Sequence, residues 1–487
     1  MTCSLRSLTT VSPIGLAVAL TLGLMACEPL PWHDDPGTVP DDDDDDDDGT
    51  LENCDDFVPP PGPECEATDI QGMLECIPGM TVHATQAHDH GTEYLLFFKQ
   101  PVNHADPDGP TFSQRLLLRH VDQAAPLVLK TSGYNLVSSW HELASMFGAN
   151  VLSFEYRYFA SSTPQEPIPW EHLTVKQAAH DSHRLFEALK WIYPAAWVNT
   201  GASKGGGAAV FHRRFHPCDV EATVAYVAPI LYGTTDERFV DFLADVGGEP
   251  LAECRAALQT VQRELLTRRA AMLLRMNTAQ YFRLGGPEVA FEHAVIELPF
   301  IFFQYYGEAA CPFIPTADAS DDIIFDYANQ IAISWMSDGA LEFFAPYYYQ
   351  AATELGAPAV DMSHIEDLLK HADTYTVHSY LPPGVAAQHD SAAMLDIRDW
   401  VEHEGERLMF VYGEYDPWSA GAFDLGQAQD SFLYTEASGT HGATISSLSS
   451  DDREQALTAL ERWLDTTRVR ERVAREPNWR QERRLRP

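Results

Sequence analysis

Apolar positions along the middle of the chain fall into short runs, and segments with helical spacing separate them. Tyr94 to Phe98 and Arg115 to His120 read as strands. So does Pro126 to Lys130, which ends in Thr131-Ser132-Gly133-Tyr134-Asn135. A helical piece around Trp140 to Phe147 precedes a strand over Val151 to Arg157. Thr174 is placed to cap a helix with Ala178, Leu185, Leu189 and Ile192 on one face. Ala196 to Thr200 is the next strand, followed by a small-residue turn, a helix to about His216 and a strand over Thr223 to Ala228. Strands alternating with helices at this spacing predict an α/β sheet, mostly parallel.

The pattern changes between Tyr232 and Pro383. Leu251 to Phe282 is long, rich in Ala, Leu and Arg, and helical in spacing. Phe300 to Tyr306 and Phe343 to Tyr349 are dense in aromatics. This stretch reads as a mainly helical cap inserted into the sheet domain. The α/β pattern resumes with the buried-looking strand Leu408 to Tyr412 and ends in a helix from about Asp452 to Leu464. The expected segments are 63–231 and 384–466 for the two parts of the core and 232–383 for the cap.

Composition adds the ends of the chain. The net charge is −40 over 487 residues. Ten acids lie in one tract, Asp34, Asp35 and Asp41 to Asp48; without them 62 acids still face 32 bases. Such a surface argues against nucleic acid as a partner. Val11 to Leu24 is mostly apolar and of signal-peptide length, and Leu24-Met25-Ala26-Cys27 reads as a lipobox. Residues 1–26 are then a lipoprotein signal peptide, and Cys27 carries a lipid that holds the protein to a membrane outside the cytoplasm. Residues 27–62, with Pro, Gly and the Asp run, read as a self-repelling tether. Residues 467–487 form an Arg-rich tail. Cys54, Cys65, Cys76, Cys218, Cys254 and Cys311 make an even set, which suggests disulfides in an exported chain but does not choose their pairing. Oligomeric state is not legible.

The candidate chemistry centres on Gly201-Ala202-Ser203-Lys204-Gly205, a Gly-x-Ser-x-Gly between a strand and a helix. This is the setting of a nucleophile elbow. Asp416 follows the late strand in Gly413-Glu414-Tyr415-Asp416-Pro417-Trp418, and His441 sits in the small-residue loop Gly439-Thr440-His441-Gly442-Ala443. The order Ser203, Asp416, His441 is that of the α/β-hydrolase fold. His441 would take the Ser203 proton, and Asp416 would orient the imidazole; Glu414 and Asp424 are the competing acids. The oxyanion donors would be the backbone N–H groups of Lys204 and of Tyr134, in the loop after the early strand. No cofactor is implied. His83 with His88-Asp89-His90 reads as an exposed polar loop rather than a metal site.

Several motifs together resemble one family. Phe98-Lys99-Gln100-Pro101-Val102-Asn103-His104 and Thr111-Phe112-Ser113-Gln114-Arg115 are similar to the opening of the Pro-Xaa carboxypeptidase and dipeptidyl-peptidase II relatives. Glu155-Tyr156-Arg157-Tyr158-Phe159 and Leu173 to Ala179 belong to the same pattern. The Gly-x-Ser-Lys-Gly-Gly form at Ser203, with His212 to Phe215 and Ala225 to Pro229 behind it, more closely resembles the sister family. That sister is the secreted bacterial tripeptidyl aminopeptidases of the PS-10 type. Tyr349-Gln350, Leu355-Gly356 and Tyr412 to Ser419 match as well. Asn103 and Tyr156 depart from the related pattern, which has Asp and often His there.

The resemblance spans about Tyr94 to Leu464. It implies an α/β-hydrolase that removes tripeptides from free N-termini, with Ser203, Asp416 and His441 as its triad. A protonated α-amine is best held by a carboxylate in a dry pocket. Glu155 is the first candidate and Glu354 the second, with Tyr349 and Gln350 narrowing the entrance. The alternatives are an esterase or lipase on the same fold, or a non-catalytic peptide-binding lipoprotein.

Overall fold

The structure, a computed structural model, describes residue 54 and residues 57–88, 91–136 and 140–469. The expected signal segment, Cys27, the Asp tract, Asp89, His90 and the tail beyond 469 lie outside the described residues.

Nine strands form one sheet: β1 (Met80–His88), β2 (Gly91–Pro101), β3 (Thr111–His120), β4 (Leu127–Thr131), β5 (Asn150–Phe154), β6 (Trp197–Ala202), β7 (Ala222–Tyr226), β8 (Leu408–Gly413) and β9 (Phe432–Glu436). Their order is β1-β2-β3-β5-β4-β6-β7-β8-β9. The pairings from β1 to β5 through β2 and β3 are antiparallel, and those from β5 to β9 are parallel. The sequence reading missed β1 and β9, which lie at the two edges. β1 is exposed along most of its length, so it lacks the apolar alternation that reveals a strand. His83 and His88 therefore stand on an edge strand rather than in a loop.

Burial explains the rest of the pattern. β7 and β8 are buried at every position, as expected for strands covered on both faces. In β4, Val128 joins the core under the helices Glu142–Phe147 and Ser450–Trp463, while Leu127 and Leu129 join Leu185, Phe186 and Trp197 on the other face. β2 alternates, with Tyr94, Leu96, Phe98 and Gln100 turned inward. Three disulfides, Cys54–Cys218, Cys65–Cys76 and Cys254–Cys311, settle the pairing. The first ties Cys54 to the body, and Phe57 packs on Phe186 at 6.0 Å.

Between β7 and β8 the helices Ala252–Thr267, Pro287–Tyr305 and Asp321–Ile331 enclose a core of their own. The long helix expected over Leu251 to Phe282 is broken. Arg268, at φ −93° and ψ 18°, separates Ala252–Thr267 from Arg269–Leu273. The break turns Arg269 toward the buried Glu292, at 2.5 Å. Pro299 sits inside the helix Pro287–Tyr305 and has no N–H to give to the carbonyl of Val295. The buried amide of Gln262 supplies the missing donor at 2.8 Å.

β5 ends at Phe154 rather than Arg157, because the next residues turn inward to polar partners. The buried Arg157 donates to both oxygens of Asp181, at 2.7 and 2.8 Å, and to the carbonyls of Pro101, Val102 and His172. Burial alone would raise the Asp181 carboxyl, but Arg157 and His104 outweigh it and hold it below its ordinary value. This knot joins β2, the segment after β5 and the helix Val175–Leu189. Removing one member of such a buried pair strands the other charge and costs about 3–5 kcal/mol. Asp181→Ala is expected to lower unfolding stability by that amount in urea titrations, with the urea dependence unchanged.

Candidate active site

Strand order reverses around β4: β5 lies on one side of it and β6 on the other. A crevice opens at the carboxyl ends of strands where the order reverses. The loop after β4 and the turn after β6 both end there.

That turn is sharp. Ser203 has φ 58° and ψ −130°, between the last residue of β6 and the helix Lys204–Phe215. Holding a serine there costs about 1–3 kcal/mol, which the surroundings must offset. Its N–H donates to the carbonyl of Tyr226 at 2.8 Å, and its carbonyl accepts from Gly207 at 3.1 Å. The backbones nearby leave no space for side chains. A Cβ on Gly201 would lie 2.3 Å from the Gly205 carbonyl, and one on Gly205 would lie 2.7 Å from the Thr131 oxygen. Gly133, at φ +72°, approaches Gly205 so closely that its Cβ would stand 2.4 Å from the Gly205 nitrogen. The β4 loop is thus pressed against the start of the helix, where the first N–H groups have no intrahelical acceptor.

Lys204 fastens this contact. Its side chain is buried, donates to the Gly133 carbonyl at 3.0 Å and lies 3.1 Å from the centre of the Tyr156 ring. That bond fixes the peptide plane carrying the Tyr134 N–H. Burial pushes the Lys204 ammonium well below its ordinary value.

Asp416 and His441 arrive from loops after β8 and β9. Asp416 is fully buried, and its Oδ2 lies 2.6 Å from His441 Nδ1. Its Oδ1 accepts from the Trp418 N–H at 3.2 Å. The His441 N–H donates to the carbonyl of Gln304 at 2.9 Å, so the last turn of the inserted helix Pro287–Tyr305 supports the histidine loop. The negative end of that helix favours a positive imidazole. Neither competing acid comes close: Asp424 accepts from Gly426 and Glu414 from Ser438, both in exposed loops.

Ser203 and His441 line one cavity of about 2160 Å³, walled by the insertion through residues such as Glu297, Phe300, Trp335, Tyr347 and Tyr348. Among the described residues the Ser203 hydroxyl makes no hydrogen bond. Such contacts commonly tighten only with substrate bound.

The proposed amine-binding residues are not on this wall. Glu155 is fully buried, with Oε1 taken by Arg115 and the Leu136 N–H and Oε2 by Ser161 and Ser162. Its charge is spent on holding the chain after β5, so it is a structural anchor. Glu354 caps the helix Val175–Leu189 through the Val175 N–H at 2.9 Å. Gln350 is buried against the Tyr156 hydroxyl, and Tyr349 packs on Trp170 at 5.2 Å. None of the four lines the cavity. Helical phase is the reason: in Ala345–Gln350, Tyr347 and Tyr348 face the cavity, so Tyr349 and Gln350 face the core. Glu297, which does line it, stands between apolar neighbours in the helix Pro287–Tyr305 and carries no local sign of that position.

One group among the described residues offers metal-ligating atoms close together, His183, His216 and Asp219. Their atoms are already engaged. Asp219 accepts from His183 and His212, and His216 Nε2 faces His180 Nδ1 at 2.9 Å. The cluster stands apart from the cavity.

Burial raises the Glu354 carboxyl to about 7, against the pull of the Val175 N–H and Lys204. The folded state therefore favours its neutral form. That preference is fully present below the unfolded value and is lost as pH rises through about 7. The wild type is expected to lose up to about 3 kcal/mol from this group between pH 4.5 and 7.5. Glu354→Gln removes this loss, which urea unfolding across that range would show as a flatter stability profile.

Comparison with known proteins agrees with this geometry. Residues 63–480 match the family model described as PS-10 peptidase S37. The prolyl tri/tetrapeptidyl aminopeptidase of Streptomyces mobaraensis is 37% identical over 409 residues, covering 81% of this chain and 85% of that protein. Solved structures similar to this one include VinJ, at 12% identity and a TM-score of 0.36, covering 76% of this chain and 98% of that one. Another is the proline iminopeptidase of Mycobacterium smegmatis, at 13% identity and a TM-score of 0.37, covering 76% and 97%. By family match, relative and α/β-hydrolase sheet together, the chain belongs to the PS-10 peptidase S37 family and is a serine peptidase.

Proposed function

We propose that this peptidase releases tripeptides from free N-termini through an acyl-enzyme on Ser203. The observation that carries the reading is the 2.6 Å bond between the buried Asp416 and His441, on the cavity that also exposes Ser203. The Streptomyces relative, described as a prolyl tri/tetrapeptidyl aminopeptidase, supports the choice of substrate class.

In this reading Ser203 Oγ attacks the carbonyl carbon of the scissile bond while its proton passes to His441 Nε2. Asp416 keeps the Nδ1 proton in place and stabilises the imidazolium. The carbonyl oxygen becomes an oxyanion held by the N–H groups of Lys204 and Tyr134. Collapse breaks the C–N bond as His441 returns the proton to the leaving amine. Water, deprotonated by the same histidine, then releases the peptide from Ser203.

Ser203→Ala is expected to lower kcat/KM on a tripeptidyl arylamide by about 10⁴-fold or more, and Asp416→Asn by a comparable factor. The same assay with an acetylated N-terminus and with a nitrophenyl ester separates the readings. Turnover of the ester alone would point to an esterase.

We also propose that Cys27 carries a lipid and that the protein works outside the cytoplasm. Three disulfides support an oxidising compartment. Cys27→Ala is expected to move the protein from the membrane fraction to the soluble fraction of its host. Membrane retention of that variant would count against the anchor.

A further inference from the structure

Glu297 is a carboxylate without a counter-ion among the described residues. Other acids of the helix Pro287–Tyr305 are accounted for: Glu288 pairs with Lys370, and Glu292 with Arg269 and the Lys370 and His371 N–H groups. Glu297 pairs with no cation among the described residues; one oxygen accepts the Tyr375 hydroxyl. Burial raises its carboxyl, the Tyr375 bond lowering it in part. The hydroxyls of Tyr347, Tyr348, Tyr375 and Tyr380 all feel its charge. A carboxylate set among aromatic rings without a base is costly, and it gains most from a cation that arrives from outside.

Of the remaining cavity carboxylates, Glu142 is taken by Tyr226, Ile445 and Ser446, and Asp338 by the Phe282 and Arg283 N–H groups. Glu237 lines the cavity but is exposed. Among the cavity carboxylates of the described residues, Glu297 alone has a hydroxyl as its single partner and lies among aromatic rings.

Its position on the helix sets a length. Glu297, Phe300, Ile301, Gln304 and Tyr305 all line the cavity, the spacing of one helical face. Gln304 is the residue whose carbonyl holds the His441 N–H. Seven residues of helix separate it from Glu297, about 10 Å along the axis. Three residues of extended peptide span about 10 Å as well.

We propose that Glu297 binds the α-ammonium of the substrate, and that its two-turn separation from the Gln304–His441 contact makes this helix a ruler for release of three residues. The inference rests on the aminopeptidase reading. It assigns the exopeptidase count to helix geometry rather than to a closed pocket end.

The test measures kcat/KM for free-amine and N-acetylated tripeptidyl arylamides, and maps by mass spectrometry the fragments released from a longer peptide. The wild type is expected to favour the free amine by about 100-fold or more and to release tripeptides. In Glu297→Gln the free-amine substrate should lose about 100-fold, chiefly through KM. The ratio to the acetylated substrate should approach one, and released fragments should spread in length. Glu297→Asp, with its charge set back by one methylene, should recover part of the ratio. Tyr375→Phe, which removes only the hydroxyl bond to Glu297, should raise KM for the free amine and not for the acetylated substrate; these two variants carry the test if Glu297→Gln does not fold. Unchanged discrimination in the Glu297 variants, with the wild type still releasing tripeptides, overturns the proposal and leaves the aminopeptidase reading intact. A wild type that cleaves both substrates equally overturns that reading itself.

Discussion

Close backbone approach at the elbow governs the rest of the site. The β4 loop, the end of β6 and the first turn of the following helix meet where a Cβ on Gly133, Gly201 or Gly205 would fall within 3 Å of another main chain. Only that fit lets Ser203 remain at positive φ and project from the turn. It also sets the helix N-terminus beside the β4 loop. Lys204 adds a bond from the helix to the Gly133 carbonyl, and the aromatic face of Tyr156 lies against its ammonium. A residue adjacent to the serine thus serves as a brace for the loop.

The same economy appears between core and insertion. The helix Pro287–Tyr305 is apolar on nearly every side, because one side packs the insertion's own core and another walls the cavity. Its proline would leave a carbonyl unpaired, and Gln262 answers that from the neighbouring helix. Its last turn supports the His441 backbone. Substrate wall and histidine support are therefore parts of one rigid element, and a shift of this helix would move both.

The motifs that carry the family resemblance have a second meaning in three dimensions. Gln100, Gln114, Glu155, Arg157 and Asp181 form a continuous buried polar network linking β2, β3 and the helix Val175–Leu189. Its members contact one another and backbone carbonyls, and none lines the cavity. Buried polar groups need definite partners, so such residues mark a fold as firmly as they mark a site. Glu155 belongs to this class: it stands within the family motifs as part of the fold rather than as an amine anchor.

Elements whose physics is local could be read along the chain. The apolar runs of β4, β6, β7 and β8, the Thr174 cap, the Gly-x-Ser-x-Gly turn and the order of Ser203, Asp416 and His441 were all legible, because strand burial, capping and tight turns depend on near neighbours. The exposed edge strand β1 was not, since nothing apolar alternates in it. Nor was the break at Arg268, after which Arg269 meets Glu292 of another helix. Tertiary structure alone decided which side of each inserted helix meets the cavity. Tyr347 and Tyr348 face it while Tyr349 and Gln350 do not, and Glu297 meets it while Glu155 and Glu354 are consumed elsewhere. A carboxylate's role depends on which donors surround it, and for Glu297 and Glu354 those donors, Tyr375 and Val175, come from other segments of the chain.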